Sequence, residues 1–321
     1  MKNSPALQRP TGLMDPEIRE THQFAALADA KNTQLAYLSD WKHFLSWCKK
    51  RNKSPLPAEP DDIAIYLRYC AETLKLNMST VKRRTASLTV AHKRNGFQSP
   101  CSEWVVKNTM KRLRRELGTP ARGKEPILVK DLIAMVEHCP PTLTGLRDKA
   151  VLLIGFAGAF RRSELAGLDV EDLTSSDEGL VILIRKSKTD QEREGRKVAI
   201  PFGQNPLTCP VKALIDWLDA ANIKTGPLLR SMTKFDRPRT TRMSDRTVAD
   251  IVKKYCSLIG KRTANFSGHS LRAGLATSAA MAGASEASIQ KQTGHANLNV
   301  LRRYIREAEM FRDNALKKLV L

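Results

Sequence analysis

Acidic residues are scarce in this chain. Only 33 Asp and Glu stand against 54 Lys and Arg in 321 residues, a formal net charge of +21. An excess that large repels itself inside a compact fold, so a polyanionic partner is the natural reading, against the blander one of a generally basic surface. Cysteines are few and scattered, at 48, 70, 101, 139, 209 and 256, with no Cys-x-x-Cys pair and no histidine cluster at ligand spacing. That argues against zinc and against a disulfide framework, and for a reducing compartment. Long apolar runs are missing too: the longest, Val151 to Phe160, is interrupted by two glycines and is half of the ~20 residues a membrane span needs. The polar, acid-containing N-terminus does not read as a secretory signal. No P-loop and no carboxylate cluster is present, so neither a nucleotide nor a metal site is expected. These absences leave a cytoplasmic, nucleoid-associated protein as the expectation, without a membrane partner.

What is present organises into two parts, as the length allows. Residues 1–30 lack a clear period and are expected to form an N-terminal extension. From 31 to 117 the pattern is helical. Leu35, Leu38, Phe44, Leu45 and Cys48 recur at three- and four-residue intervals, with Lys42 among the basic residues between them. Pro55, Pro57 and Pro60 break that helix, Asp61 and Asp62 favour the start of the next, and a third opens at Ser79 as its expected cap. Trp104 to Leu117 reads as a fourth. The stretch 118–126 combines turn residues with Arg122 and Lys124, which fits an extended linker lying along a phosphate backbone. Beyond it, 127–321 reads as helices near 129–138 and 146–159, a strand Leu180 to Ile184, a return strand Val198 to Pro201 with a polar tip between, and helix again to the end. The fold class is mainly α with a small β-sheet.

The chemistry-bearing residues follow one another in order. Arg161 ends an apolar helix and lies three residues from Glu164, either an ordinary surface pair or a guanidinium fork for phosphate held by a carboxylate; Arg162 is the alternative ligand. Lys188 lies at the hairpin tip, where a lysine is normally just solvated, or can give a proton to a leaving oxygen. His269 and Arg272 project from the start of a helix, whose N–H groups and dipole also favour an anion. His295 follows a Thr-Gly turn, and nine residues later Tyr304 stands among Arg302, Arg303 and Arg306. A tyrosine hydroxyl can attack a phosphodiester, but with a free pKa near ~10 it needs cations around the phosphate and a proton acceptor beside it.

Arg161 with Glu164, a hairpin lysine, His-x-x-Arg, Gly-His and a tyrosine nine residues on resemble the tyrosine recombinase (phage integrase) family. The likeness runs from about residue 31 to the end. Stretches such as Trp47-Cys48-Lys49, Pro57 to Asp62, Ser267 to Ser270 and Asn297 to Val300 look most like Cre-type site-specific recombinases. His295 departs from that type, which carries tryptophan there, and matches the commoner family residue. The resemblance implies an all-α core-binding domain and a mixed α/β catalytic domain closing as a C-shaped clamp on duplex DNA. Tyr304 would form a 3′-phosphotyrosine. Arg161 and Arg272 would bind the non-bridging oxygens, His269 would take the tyrosine proton, His295 would support phosphate and tyrosine, and Lys188 would protonate the leaving 5′-oxygen. No cofactor is implied, because the phosphotyrosyl bond conserves the energy of the bond cut. The apolar stripe Phe311, Ala315, Leu316, Leu319 and Val320 either closes the chain's own core or, as the resemblance implies, forms a tail helix docked in a neighbouring protomer, giving a homo-tetramer on two inverted-repeat sites.

Two segments are candidate sequence readers: the helix from Ser79, presenting Lys82, Arg83 and Arg94, and the helix opened by Ser244, where Arg246 can make a bidentate contact to guanine. Two other functions remain open, a type IB topoisomerase using similar chemistry and a DNA-binding protein without catalysis.

Overall fold

The computed structural model describes residues 31–118, 123–185, 195–295 and 298–309. Readings that fall on residues 1–30, Arg122, the hairpin tip with Lys188, and the tail from 310 lie outside the described residues. The chain divides into two compact units, Met1–Arg122 and Gly123–Leu321.

The first unit is helical among its described residues: α1 (Lys31–Lys49), α2 (Pro60–Arg68), continued by a wide π-type turn Tyr69–Thr73, α3 (Met78–Arg94) and α4 (Trp104–Leu117). Pro60 opens α2, where its missing N–H costs nothing, and Asp61 and Asp62 complement the helix dipole. The apolar faces meet in a core of Phe44, Trp47, Tyr66, Leu67, Val81, Leu88, Val106 and Leu113; each such side chain taken fully from water contributes roughly 1.5–3 kcal/mol. Phe44 and Tyr66 pack edge to face at 4.9 Å. His92 is fully buried as its Nδ1–H tautomer: Nδ1 donates to the Leu88 carbonyl at 2.8 Å, leaving Nε2 to accept the Ala58 N–H at 3.0 Å. The expected cap at Ser79 is corrected. Asn77 caps α3, its Oδ1 accepting the Thr80 N–H at 2.9 Å, and Ser79 lies within the first turn, donating to the same oxygen. Asn is as good a cap as Ser, and only the residue with extended backbone can point its side chain back at the free N–H groups.

The second unit runs α5 (Val129–Glu137), α6 (Leu143–Ala157), α7 (Arg162–Gly167), β1 (Leu173–Ser176), β2 (Gly179–Ile184), β3 (Arg196–Pro201), α8 (Pro210–Ala220), β4 (Arg230–Met232), β5 (Pro238–Arg242), α9 (Asp245–Leu258), α10 (His269–Met281), α11 (Glu286–Thr293) and α12 (Leu298–Glu309). Strands β1, β2 and β3 form an antiparallel sheet in that order, with Leu180 opposite Ile200 and Ile182 opposite Val198. The expected strand and its return are thus present. The expectation of helix from 202 to the end is corrected, because β4 and β5 pair as a separate hairpin. Its residues, Arg-Ser-Met and Pro-Arg-Thr-Thr-Arg, have no helical apolar period, and Arg242 anchors the hairpin by donating to the carbonyls of Ala166 and Leu168 at 3.1 and 2.8 Å.

Helix α6 is buried on nearly every side, which explains its unbroken apolar run. The one carboxylate deep within it, Asp148, is satisfied by Arg147 at 2.6 Å, Lys254 at 3.1 Å and the Tyr255 hydroxyl at 3.1 Å. Residues 123–127 run beside the start of α10: Glu125 N–H donates to Asn265, Ile127 N–H donates to Ser270, and the Lys124 ammonium binds the Ala264 carbonyl at 2.5 Å. That approach depends on Gly274, where an added Cβ would lie 2.0 Å from the Ile127 carbonyl oxygen. Gly274→Ala should push this segment off α10 and lower stability by about 1–3 kcal/mol, the usual cost of overpacking, read by urea denaturation. An unchanged midpoint would show that the close packing does not exist in solution.

Candidate active site

Arg272 stands on the first turn of α10 and is 1% exposed. Its Nη1 donates to the carbonyls of Ala159, at 2.7 Å, and Thr293, at 2.5 Å. The Ala159 carbonyl is aimed by an unusual backbone: this alanine has φ of +48°, a left-handed conformation costing about 1 kcal/mol. Nη2 of Arg272 is buried with no hydrogen-bond partner. Burial, and then the positive charge of Arg161, pull the guanidinium down to about 10, so it stays charged at neutral pH. A buried cationic donor without an acceptor is costly to leave unmet and calls for an anion.

Arg161 lies between α6 and α7, in extended conformation at the N-terminus of α7. Glu164, three residues on and buried, accepts both the Arg161 N–H at 2.9 Å and the guanidinium Nη1 at 2.5 Å. The spacing read as one helical face is therefore a cap: a buried carboxylate closes the helix start and fixes the arginine. Arg162 points elsewhere, with its Nη2 3.8 Å from Asp245 and its side chain exposed.

His295 is 8% exposed and follows Gly294, which ends α11 in left-handed conformation. Thr293 Oγ1 gives its only proton to the Ile289 carbonyl at 2.8 Å, so its 2.7 Å contact with His295 Nδ1 makes that nitrogen the donor. Nε2 of His295 is then the unprotonated nitrogen. Burial first, then Arg272 and Arg161, hold its pKa down to about 4. His269 is shifted down as well, by enclosure and by Arg272, Arg161, Arg303 and Arg162. Tyr304, on α12, is 4% exposed and packs with Ala273, Ala276, Ala280, Ile289 and Leu301. Its hydroxyl lies 3.4 Å from His269 Nε2, and its ring centroid 6.4 Å from that of His295. A hydroxyl facing a neutral imidazole beside buried guanidinium groups can lose its proton as it attacks an anionic ester.

Residues 127–310 match the family model described as "Phage integrase family". The chain belongs to that family. It is 42% identical over 294 residues to an integrase/recombinase XerD homologue of Selenomonas ruminantium, covering 90% of this chain and 86% of the relative. It is 27% identical over 306 residues to the Cre recombinase of Escherichia phage P1, covering 88% and 86%. Among solved structures, lambda integrase bound to DNA superposes with a TM-score of 0.61 at 17% identity, over 95% of this chain and 98% of that one. XerH recombinase bound to a palindromic substrate gives 0.58 at 17%, over 80% and 73%. These likenesses support the tyrosine recombinase fold, and the two relatives are named an integrase/recombinase and a recombinase.

The arginines around Tyr304 do different jobs. Arg303 lies over the Tyr304 ring at 5.5 Å, and Arg302 is paired with Glu286 at 3.0 Å. Among the candidate reading residues, Lys42, Ser79, Lys82 and Arg94 are exposed. Arg83 is held bidentate by the buried Asp40, at 2.9 and 3.0 Å. Arg246 is 87% exposed, with only a 3.9 Å approach to Asp250. No helix among the described residues is long and apolar enough to cross a membrane. The sequence reading missed Arg196, the first residue of β3. It is half-buried, donates from Nη1 to the carbonyls of Lys291 and Gln292 at 3.2 and 2.8 Å, and leaves Nη2 buried without a partner. One arginine opening a strand carries no local signal that would have found it.

The histidines give a direct test. In a pH titration followed by NMR, His295 should titrate near 4 and His269 below the ordinary value, so both are neutral at pH 7. An unfolded chain takes up those protons near ~6.5, so acid between that value and about 4 favours unfolding, and stability should fall with pH there. A His295 titrating at its ordinary value would contradict the buried geometry.

Proposed function

We propose that this chain is a site-specific DNA recombinase that cuts and rejoins strands at inverted-repeat sites through a 3′-phosphotyrosine, working as a tetramer on two sites. The observation that carries this reading is the buried, unpartnered Nη2 of Arg272 in one cluster with Tyr304, whose hydroxyl faces His269. The Tyr304 oxygen attacks the scissile phosphorus, its proton passes to His269 Nε2, and the bond to the 5′-oxygen breaks. Lys188 supplies the proton that the leaving 5′-oxygen takes up. Arg272 and Arg161 hold the non-bridging oxygens as negative charge grows on them, with Glu164 fixing Arg161. His295, its tautomer set by Thr293, flanks the phosphate and the tyrosine. Rejoining is the reverse with a 5′-hydroxyl from another strand, so the phosphodiester energy is retained and no cofactor enters.

Assembly through the tail is supported by an apolar groove of about 770 Å³ on the second unit, lined by Val129, Leu132, Ile133, Phe156, Phe202 and Ile289. Val129, Ile133 and Phe202 remain 38–51% exposed along it. Its occupant on this reading is the 308–321 segment of a neighbouring copy, whose stripe of Phe311, Leu316 and Leu319 has matching chemistry. Both units supply contacts to the duplex: Lys42, Lys82, Arg94 and Arg122 from the first, Lys124 and Arg246 from the second.

The test is to incubate wild type and Tyr304→Phe with a randomised duplex pool and recover protein-linked DNA under denaturing conditions. Adducts with wild type alone, enriched in inverted repeats, are expected. Arg272→Ala and Arg161→Ala should each slow adduct formation by about 10²–10³-fold, the usual effect of losing one transition-state donor. Adducts without sequence preference would instead indicate a type IB topoisomerase, and DNA retention with no adduct a non-catalytic binder. A separate measurement concerns Arg246, whose exposure leaves it open to a base edge. Arg246→Ala should relax preference at one base position by about 1–3 kcal/mol; equal weakening on every sequence would show a phosphate contact alone.

A further inference from the structure

Helix α11 ends on three successive carbonyls, Lys291, Gln292 and Thr293, immediately before the Gly294–His295 turn. Such terminal carbonyls have no partner within the helix. Two guanidiniums take them here. Arg272 holds the Thr293 carbonyl, and Arg196 reaches across from β3 to those of Lys291 and Gln292. The Gln292 side chain ties the same helix end to its surroundings, donating to Ala157 at 2.7 Å and to Ala199 on β3 at 3.2 Å. Gly294 completes the fit: with φ of +63° it adopts a backbone that other residues resist, and an added Cβ would lie 2.8 Å from Arg196 Nε and Cζ. The turn that carries His295 is thus moulded against the Arg196 guanidinium.

We propose that Arg196 is a positioning residue for the strand-transfer site, clamping the end of α11 so that His295 and the Thr293 carbonyl beneath Arg272 are held in register. The assignment rests on the recombinase reading of His295 and Arg272, and adds to it a residue outside the motif set. Arg196 also belongs to the electrostatics of the cluster. Burial and the charge of Arg161 lower its own pKa against the opposing effect of Glu164, and its charge in turn lowers those of Arg272 and His295. Its Nη2, buried and unpartnered like that of Arg272, adds a second unmet cationic donor.

The experiment uses the full chain in three forms: wild type, Arg196→Gln and Arg196→Lys. Each is measured for adduct formation and for equilibrium binding on a nicked duplex carrying a site recovered with wild type, and for His295 titration by NMR without DNA. Arg196→Gln should slow adduct formation by about 100-fold while binding changes less than about threefold, and His295 should titrate slightly higher, because Arg196 is the smallest of the charges that lower it. Arg196→Lys keeps the charge and loses the two-carbonyl grip. It should leave the His295 titration near its wild-type position yet cleave about tenfold more slowly. A general loss of fold would depress binding and cleavage together. Cleavage and His295 titration both unchanged in Arg196→Gln would overturn the assignment, as would wild-type cleavage by Arg196→Lys. If wild type itself forms no adduct, the recombinase reading fails while the titration still decides whether Arg196 governs His295.

Discussion

The second unit is organised around a charge it has difficulty accommodating. Arg272 brings a guanidinium into a nearly sealed space where two backbone carbonyls satisfy one nitrogen and nothing satisfies another. Those carbonyls come from the turn after α6 and from the end of α11, so one side chain on α10 joins three segments distant in sequence. Arg161 and Arg196 bear on the same space, and Glu164 is the carboxylate that offsets them. Net positive charge enclosed at low dielectric raises the energy of the empty site and lowers it when an anion enters. On the proposed reading, the strain of holding these cations is what makes a phosphodiester bind and its transition state bind better.

The same field sets the protonation of the histidines. Enclosure makes a positive charge on either ring unwelcome, and the neighbouring guanidinium groups add to that, so His269 and His295 are neutral at physiological pH. A neutral imidazole accepts a proton; a charged one cannot. The cations that would hold phosphate therefore act with burial to keep the base in its working form. Thr293 extends the device, since donating to Ile289 obliges it to accept from His295 Nδ1, which settles the tautomer from within the backbone of α11.

Much of this was legible in the residue order. The cluster of Arg161, Glu164, His269, Arg272, His295 and Tyr304 could be read because the chemistry expected of it, tyrosine attack on a phosphate, calls for those side-chain types. The apolar run of α6 was legible because a helix buried on all sides must be apolar on all sides. Arg196 was not, since its role comes from which carbonyls lie opposite β3, a tertiary fact without local periodicity. Strands β1, β4 and β5 were missed for a related reason: they are three to five residues long and largely polar, so the alternation that marks a strand hardly develops. Asn77 in place of Ser79 as the cap of α3 reflects a boundary where two polar residues, two positions apart, can both accept.

Charge counted from sequence does not say which cations are available. Arg83 and Arg246 look alike in composition, each basic and near the start of a helix, but their surroundings differ. Arg83 makes a bidentate pair with a carboxylate only 4% exposed, and withdrawing it would leave Asp40 with poorer partners in a dry environment. Such a pair is costly to break. Arg246 faces an exposed aspartate at long range, an arrangement worth little in water and easily exchanged for another acceptor. If both helices approach a duplex, Arg246 can turn to a base at small cost, whereas Arg83 is held as part of the structure. The basic excess thus separates into cations that build the fold, cations enclosed around Tyr304, and exposed cations on α1, α3 and α9 that remain to meet a polyanion.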